Sequence, residues 1–206
     1  MALLLSVLEQ GMIYGILALG VYITYKILDF PDLTVDGSFP FGAAITVRLI
    51  NGFGVPAILT LPIAFLGGAL VGICTGLIHV KLKVRDLLSG IIMMTGLYTI
   101  NLWVAGSGYV AIFDKQNIFN NSFVNSITPG FLVNFKNVII IFLITMVAKY
   151  LLDWYMSTKS GFLLRAVGDN DTIVTSLGVD KGLVKIVGLS IANGLVSLSG
   201  CIYAQQ

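Results

Sequence analysis

At 206 residues, with 57% hydrophobic and 11% charged side chains and a mean hydropathy of +0.95, the chain carries more apolar surface than a water-soluble fold hides. Soluble domains run about 45–50% apolar and about 25% charged, so the surplus here faces lipid and the fold class is all-α, a polytopic transmembrane helical bundle. A net charge of +2 from cations scattered along the chain leaves no footprint for nucleic acid.

A spanning helix needs roughly 20 mostly apolar residues to cross a hydrocarbon core of about 30 Å. Ala2–Leu8 is an apolar lead-in broken by Glu9, and Met12–Leu28 predicts the first span. The start lacks the basic stretch and cleavage site of a signal peptide, so this segment stays in the mature protein. Asp29 to Ser38 then brings three carboxylates, Pro31 and Gly37, which no continuous lipid-facing helix carries. Phe39–Ile50 predicts a short second helix, read as a crossing that leaves the N-terminus outside. Val55–Val80 and Leu87–Ala105 are spans, Gly106–Phe135 is a polar, Asn-rich connection, and Val138–Met156 spans again. Ser157–Val179 reads as soluble, and Leu183–Tyr203 closes the chain as a last apolar run. The whole, 1–206, reads as a single transmembrane domain with a cytoplasmic segment at about 157–182.

Cations orient the chain. Lys81, Lys83 and Arg85 crowd one short loop, and Lys159, Arg165, Lys181 and Lys185 mark the polar segment two spans later. Both fall on one side, which the positive-inside rule makes cytoplasmic, with the loop bearing Lys115 and Lys136 outside. Gly68, Gly72 and Gly76 recur every four residues, as Gly11 and Gly15 do, and predict close helix packing inside the bundle, with a dimer interface as the other reading.

Catalysis finds few residues here. His79 is the single histidine and reads as snorkelling to the headgroups beside Lys81. Cys74 and Cys201 sit apart in apolar runs, so no disulfide framework, metal site or catalytic dyad is predicted, and no cofactor is implied. A Walker-type phosphate loop is absent from the sequence, so ATP hydrolysis is assigned to no residue of this chain. Asn120-Asn121-Ser122 matches a glycosylation sequon of the kind that chance supplies.

Two polar places remain. Asp29, Asp32 and Asp36 flank Pro31, Gly37 and Ser38. One reading is a broken helix lining or hinging a pathway; the other is an interfacial loop with solvated acids and Asp36 or Ser38 as a helix cap. The second place is Gly161 to Val179, where Asp169, Asn170 or Asp171 starts a short amphipathic helix over Thr172–Leu177, closed by Gly178. Its mix of Leu, Val and acids suits docking on a soluble partner better than lying on a lipid surface.

Gly161, Arg165, Ala166, Gly168, Asp169, Asn170, Leu177 and Gly178 follow a Gly-x-x-x-Arg-Ala-x-Gly-Asp-Asn…Leu-Gly pattern. It resembles the coupling loop of ATP-binding-cassette importer permeases in the branched-chain amino acid and ribose permease superfamily. Asp171 departs from the usual Pro, and Val174 and Ser176 from the common Ala. Asp32–Phe39, Lys81–Gly90 and Met94–Leu102 resemble a subgroup labelled tryptophan/tyrosine permeases. The resemblance covers essentially the whole chain. It implies a multi-pass permease of a bacterial-type cell membrane, paired with a second copy. It also implies a separate ATPase subunit and an extracytoplasmic substrate-binding protein as partners, besides membrane lipid. Permeases of this kind continue for about two to four more spans, so the chain is expected to lack the family's C-terminal helices. The function expected is movement of a small solute, such as an amino acid, by alternating access driven by the partner's ATP cycle. Rival readings are an ion-coupled transporter or channel using Asp29–Asp36, an intramembrane enzyme, and a non-transporting membrane subunit.

Overall fold

A computed structural model describes residues 2–106, 118–119, 135–176 and 178–206, so most of the Asn-rich connection, with Lys115 and the sequon, lies outside the described residues. Every regular element among the described residues is helical. α1 (Ala2–Tyr22) runs into one π-helical turn, Ile23–Ile27, and is followed by α2 (Val35–Phe53), α3 (Ala57–Leu82) and α4 (Asp86–Ala105). α5 (Lys136–Met156), α6 (Lys159–Asp169), α7 (Asp171–Ser176) and α8 (Lys181–Gln205) complete the chain. Among the described residues, five helices are long and apolar enough to cross a membrane: Leu3–Ile27, α3, α4, α5 and α8. α2 stays outside that set and packs against α3, α4 and α8.

α8 is the axis of the bundle. About two thirds of its span is buried, against a third or less on the other four. α1, α2 and α3 all pack on it. Gly68, Gly72 and Gly76 lie along the α3 face that meets it: a Cβ at Gly68 or Gly72 would run into the carbonyl of Asn193 or Leu189, and one at Gly76 into Ile186. Such close backbone approach is how spanning helices gain packing where lipid supplies no hydrophobic drive. Gly11 and Gly15 have open space around them, so the same spacing in α1 serves no such contact among the described residues.

Polar side chains tie the helices to one another inside this packing. Ser197 Oγ donates to Ala64 O at 2.7 Å and Ser199 Oγ to Ile13 O at 2.7 Å. Glu9 does not break α1. It is buried, and its Oε2 accepts from Gln206 Nε2 at 2.7 Å, which supplies the partner that a carboxylate needs there. That bond puts the start of α1 and the end of α8 at one end of the molecule, opposite Lys181 at the start of α8.

α2 starts earlier than its apolar run suggests. Asp36, Gly37 and Ser38 are helical, and the irregular stretch shrinks to Leu28–Thr34. Neither Asp36 nor Ser38 is the cap; Thr34 holds the N-cap position without a side-chain cap bond. The turn is set instead by Asp32, whose Oδ1 accepts from Thr34 N at 2.8 Å. Pro40 falls in the second turn of α2, where it lacks the N–H that would bond back to Asp36 O; both residues are exposed.

Candidate functional site

The break after the π-turn is held by a buried polar cluster. Asp32, Thr34, Ser38, Thr75 and Asn193 are all buried, Asp32 at 2% exposure and the other four at 0%. Asn193 Nδ2 donates to Asp32 Oδ2 at 2.8 Å and to Leu189 O at 3.1 Å, while Ser38 Oγ donates to Asn193 Oδ1 at 2.6 Å. Thr34 Oγ1 and Thr75 Oγ1 are 3.1 Å apart, joining the break to α3. From α4, Asn101 Nδ2 donates to Gly37 O at 3.1 Å, and its buried Oδ1 has no partner among the described residues. One loop is thus fastened to the middle of α8, to α2, to α3 and towards α4.

The sequence-predicted residues of the break divide. Asp32, Gly37 and Ser38 are buried, Pro31 is half-buried, and Asp29 and Asp36 are exposed. Asp29 adopts φ +50, a left-handed conformation uncommon outside glycine, which turns the chain out of the π-turn. Asp36 lies in the first turn of α2, where its charge suits the positive end of the helix dipole. Asp32 makes no ion pair among the described residues; its carboxyl is held by uncharged donors of Thr34 and Asn193. A buried carboxyl so held is costly to strip of its partners and favours an arrangement with few intermediate states.

The polar segment folds as two helices rather than one. α6 begins at Thr158, whose side chain accepts from Gly161 N at 3.4 Å, and ends at Asn170 in extended backbone. α7 follows at once, and Gly178 reverses the chain at φ +77. Gly161, Leu164 and Val167 form the buried face of α6, and Phe162, Arg165, Asp169 and Asn170 are exposed; Ala166 and Gly168 are half-buried. Leu177 lies outside the described residues. The buried face packs inward. Leu164 and Val167 share one core with Ile23, Ile27, Leu28 and Phe30 of the broken segment and with Leu189 and Ala192 of α8. At Gly168 a Cβ would collide with the carbonyl of Ile27, so α6 rests directly on the π-turn.

His79 links the break to the neighbouring loop. Its Nδ1 lies 2.9 Å from Val84 O and 3.1 Å from Asp86 Oδ1, and its ring meets Phe30 edge-on with centroids 5.1 Å apart. It is therefore half-buried, with its ring held by Phe30 and by the turn after α3. Among the described residues no group of His, Cys, Asp and Glu is placed to hold a metal ion. The chemistry on offer is mechanical: an irregular segment pinned by hydrogen bonds on one side and by an amphipathic helix on the other.

Asn193 is the residue that reading the sequence missed. Its signal was a lone amide in the last apolar run, and its partner Asp32 lies 161 positions away.

Comparison with known proteins gives this geometry its setting. No solved structure matches. The chain is 42% identical over 98% of its length to a tyrosine transport system permease protein of Clostridioides difficile. It is 26% identical over 94% of its length to a probable branched-chain amino acid transport permease protein of Methanocaldococcus jannaschii, and 25% identical over 98% to a ribose import permease protein of Haemophilus influenzae. It spans 64%, 64% and 61% of the lengths of those three proteins. The model of the branched-chain amino acid transport system permease component matches residues 3–206. With five spanning helices and this match along its length, the chain is a multi-pass membrane protein and belongs to the permease-component family of branched-chain amino acid transport systems.

Proposed function

We propose that the chain is the transmembrane permease subunit of an ATP-binding-cassette importer, moving an amino acid or similar small solute by alternating access. The observation that carries this reading is the seat of α6: its buried face rests on the π-turn at Ile27 and its outer face presents Phe162, Arg165 and Asp169. An ATPase subunit docking on that outer face pushes a rigid element directly against the broken helix. Gly161, Arg165, Ala166, Gly168, Asp169, Asn170, Leu177 and Gly178 form the coupling segment on this reading, and Asp29 to Ser38 the hinge. An extracytoplasmic binding protein delivers the solute, and a second copy of the permease completes the pathway. The tyrosine permease relative favours an amino acid as the solute.

The test is uptake into vesicles holding the full transporter, comparing wild type with Arg165→Ala/Asp169→Ala. The expected result is membrane-inserted protein, continued ATP hydrolysis and uptake reduced at least about tenfold, a coupling loss of about 1.4 kcal/mol or more. Unchanged ATP-driven uptake overturns the coupling assignment. Uptake driven by a proton or sodium gradient without the ATPase supports instead an ion-coupled carrier built on the buried Asp32.

A further inference from the structure

A second site lies at the basic end of the bundle, where α8 begins. The turn after α3 and the start of α8 face each other across a cleft of about 510 Å³. Lys83, Arg85, Lys181 and Lys185 line it, with Asp86 and Asp180 as the carboxylates. Both acids are engaged locally. Asp86 lies 3.1 Å from His79 Nδ1, and Asp180 Oδ1 accepts from Gly182 N at 2.8 Å as the cap of α8. Even with Lys181 set aside, three cations stand against two occupied carboxylates, and the field of the cleft favours an anion. Lys83 sits at φ +54, an uncommon left-handed conformation for lysine, at the C-cap of α3.

Position selects the kind of anion. The cleft is built from the ends of three spanning helices, Leu82 of α3, Asp86 of α4 and Lys181 of α8, which puts it at headgroup depth. Leu82, Leu87, Leu88 and Leu183 lie beside it in sequence and are exposed, a neighbourhood for acyl chains rather than for water. A free phosphate has no use for those leucines, and an acidic peptide would have to cover them. We infer that this cleft binds the headgroup of an anionic phospholipid, with its acyl chains running along Leu87 and Leu183. A lipid there bridges the α3–α4 turn to α8, the helix that also holds Asn193, and so ties bundle stability to the charge of the surrounding bilayer.

Native mass spectrometry of the full chain in detergent tests this, with phosphatidylglycerol, phosphatidylcholine of the same acyl chains, and inorganic phosphate as probes. Wild type is expected to retain one phosphatidylglycerol at least about tenfold better than phosphatidylcholine, and millimolar phosphate should not displace it. Each cation removed should weaken retention about fivefold, so Lys83→Gln/Lys185→Gln loses most of the preference. Lys83→Arg/Lys185→Arg should keep it, and Lys159→Gln, outside the cleft, should leave it unchanged. Equal retention of the two lipids overturns the site, as does a preference that survives the double glutamine variant or falls equally in Lys159→Gln. Displacement by phosphate alone would replace the lipid with a soluble anion.

Discussion

Asp32 has two acceptor oxygens, and both are used: Thr34 N sets the turn and Asn193 Nδ2 anchors it to α8. Asp32→Ala leaves Thr34 N without an acceptor and Asn193 Nδ2 with Leu189 O alone, so two buried N–H bonds go unpaired at about 1–3 kcal/mol each. Asp32→Asn keeps one of the two bonds and should cost less. Ser38→Ala leaves a single buried acceptor, Asn193 Oδ1, without its donor, at about 1–3 kcal/mol. Thermal unfolding in detergent should therefore rank wild type above Ser38→Ala, with Asp32→Ala lowest. An Asp32→Ala protein that melts with Ser38→Ala would mean that the break is held by packing and not by this cluster. Asp32 was legible in the sequence because a carboxylate near membrane depth has to be accounted for. Asn193 was not, because hydropathy averages a lone amide into the apolar residues around it and says nothing of a partner 161 positions off.

At the scale of elements, glycine spacing is informative only where a partner helix arrives. Gly72 and Gly15 look alike in sequence, yet a Cβ at Gly72 meets the Leu189 backbone while one at Gly15 meets nothing within 4 Å. Gly72→Ala should force α3 from α8 and destabilise by about 1–3 kcal/mol, as overpacking does. Gly15→Ala should be neutral or stabilising by about 0.5–1 kcal/mol, because alanine gives up less backbone freedom. Parallel melting curves check the contrast, and equal shifts would mean that α3 and α8 do not meet as closely as Gly72 requires. The other elements were readable in part. Apolar length placed four of the five spans to within two residues at each end, but it started the first at Met12 where the helix runs from Leu3, and Asp36-Gly37-Ser38 looked like turn and is helix. A side-chain bond two residues earlier starts α2 there, and such local chemistry competes with residue preference. The amphipathic segment was legible as such, though not that its larger helix, α6, would spend its apolar face inside the bundle.

For the whole molecule, α6 divides what binds the machine from what transmits its motion. Its outer face carries exposed Phe162 with Arg165 and Asp169; its inner face carries Leu164, fully buried against the broken segment and α8. If the outer face docks an ATPase and the inner face moves the break, damage to the two faces should separate. Phe162→Ala should weaken co-purification with the ATPase and lower uptake in proportion, while the isolated permease melts as wild type. Leu164→Ala leaves the outer face intact but opens a cavity where α6 meets the π-turn, costing about 2–5 kcal/mol locally. The complex should then still assemble and hydrolyse ATP, with less solute moved per ATP consumed. Measuring co-purification, hydrolysis and uptake on both variants reads the two links independently. Both variants failing at assembly would mean that α6 is one docking surface with no transmitting face, and the push on Ile27 would have to come from another element.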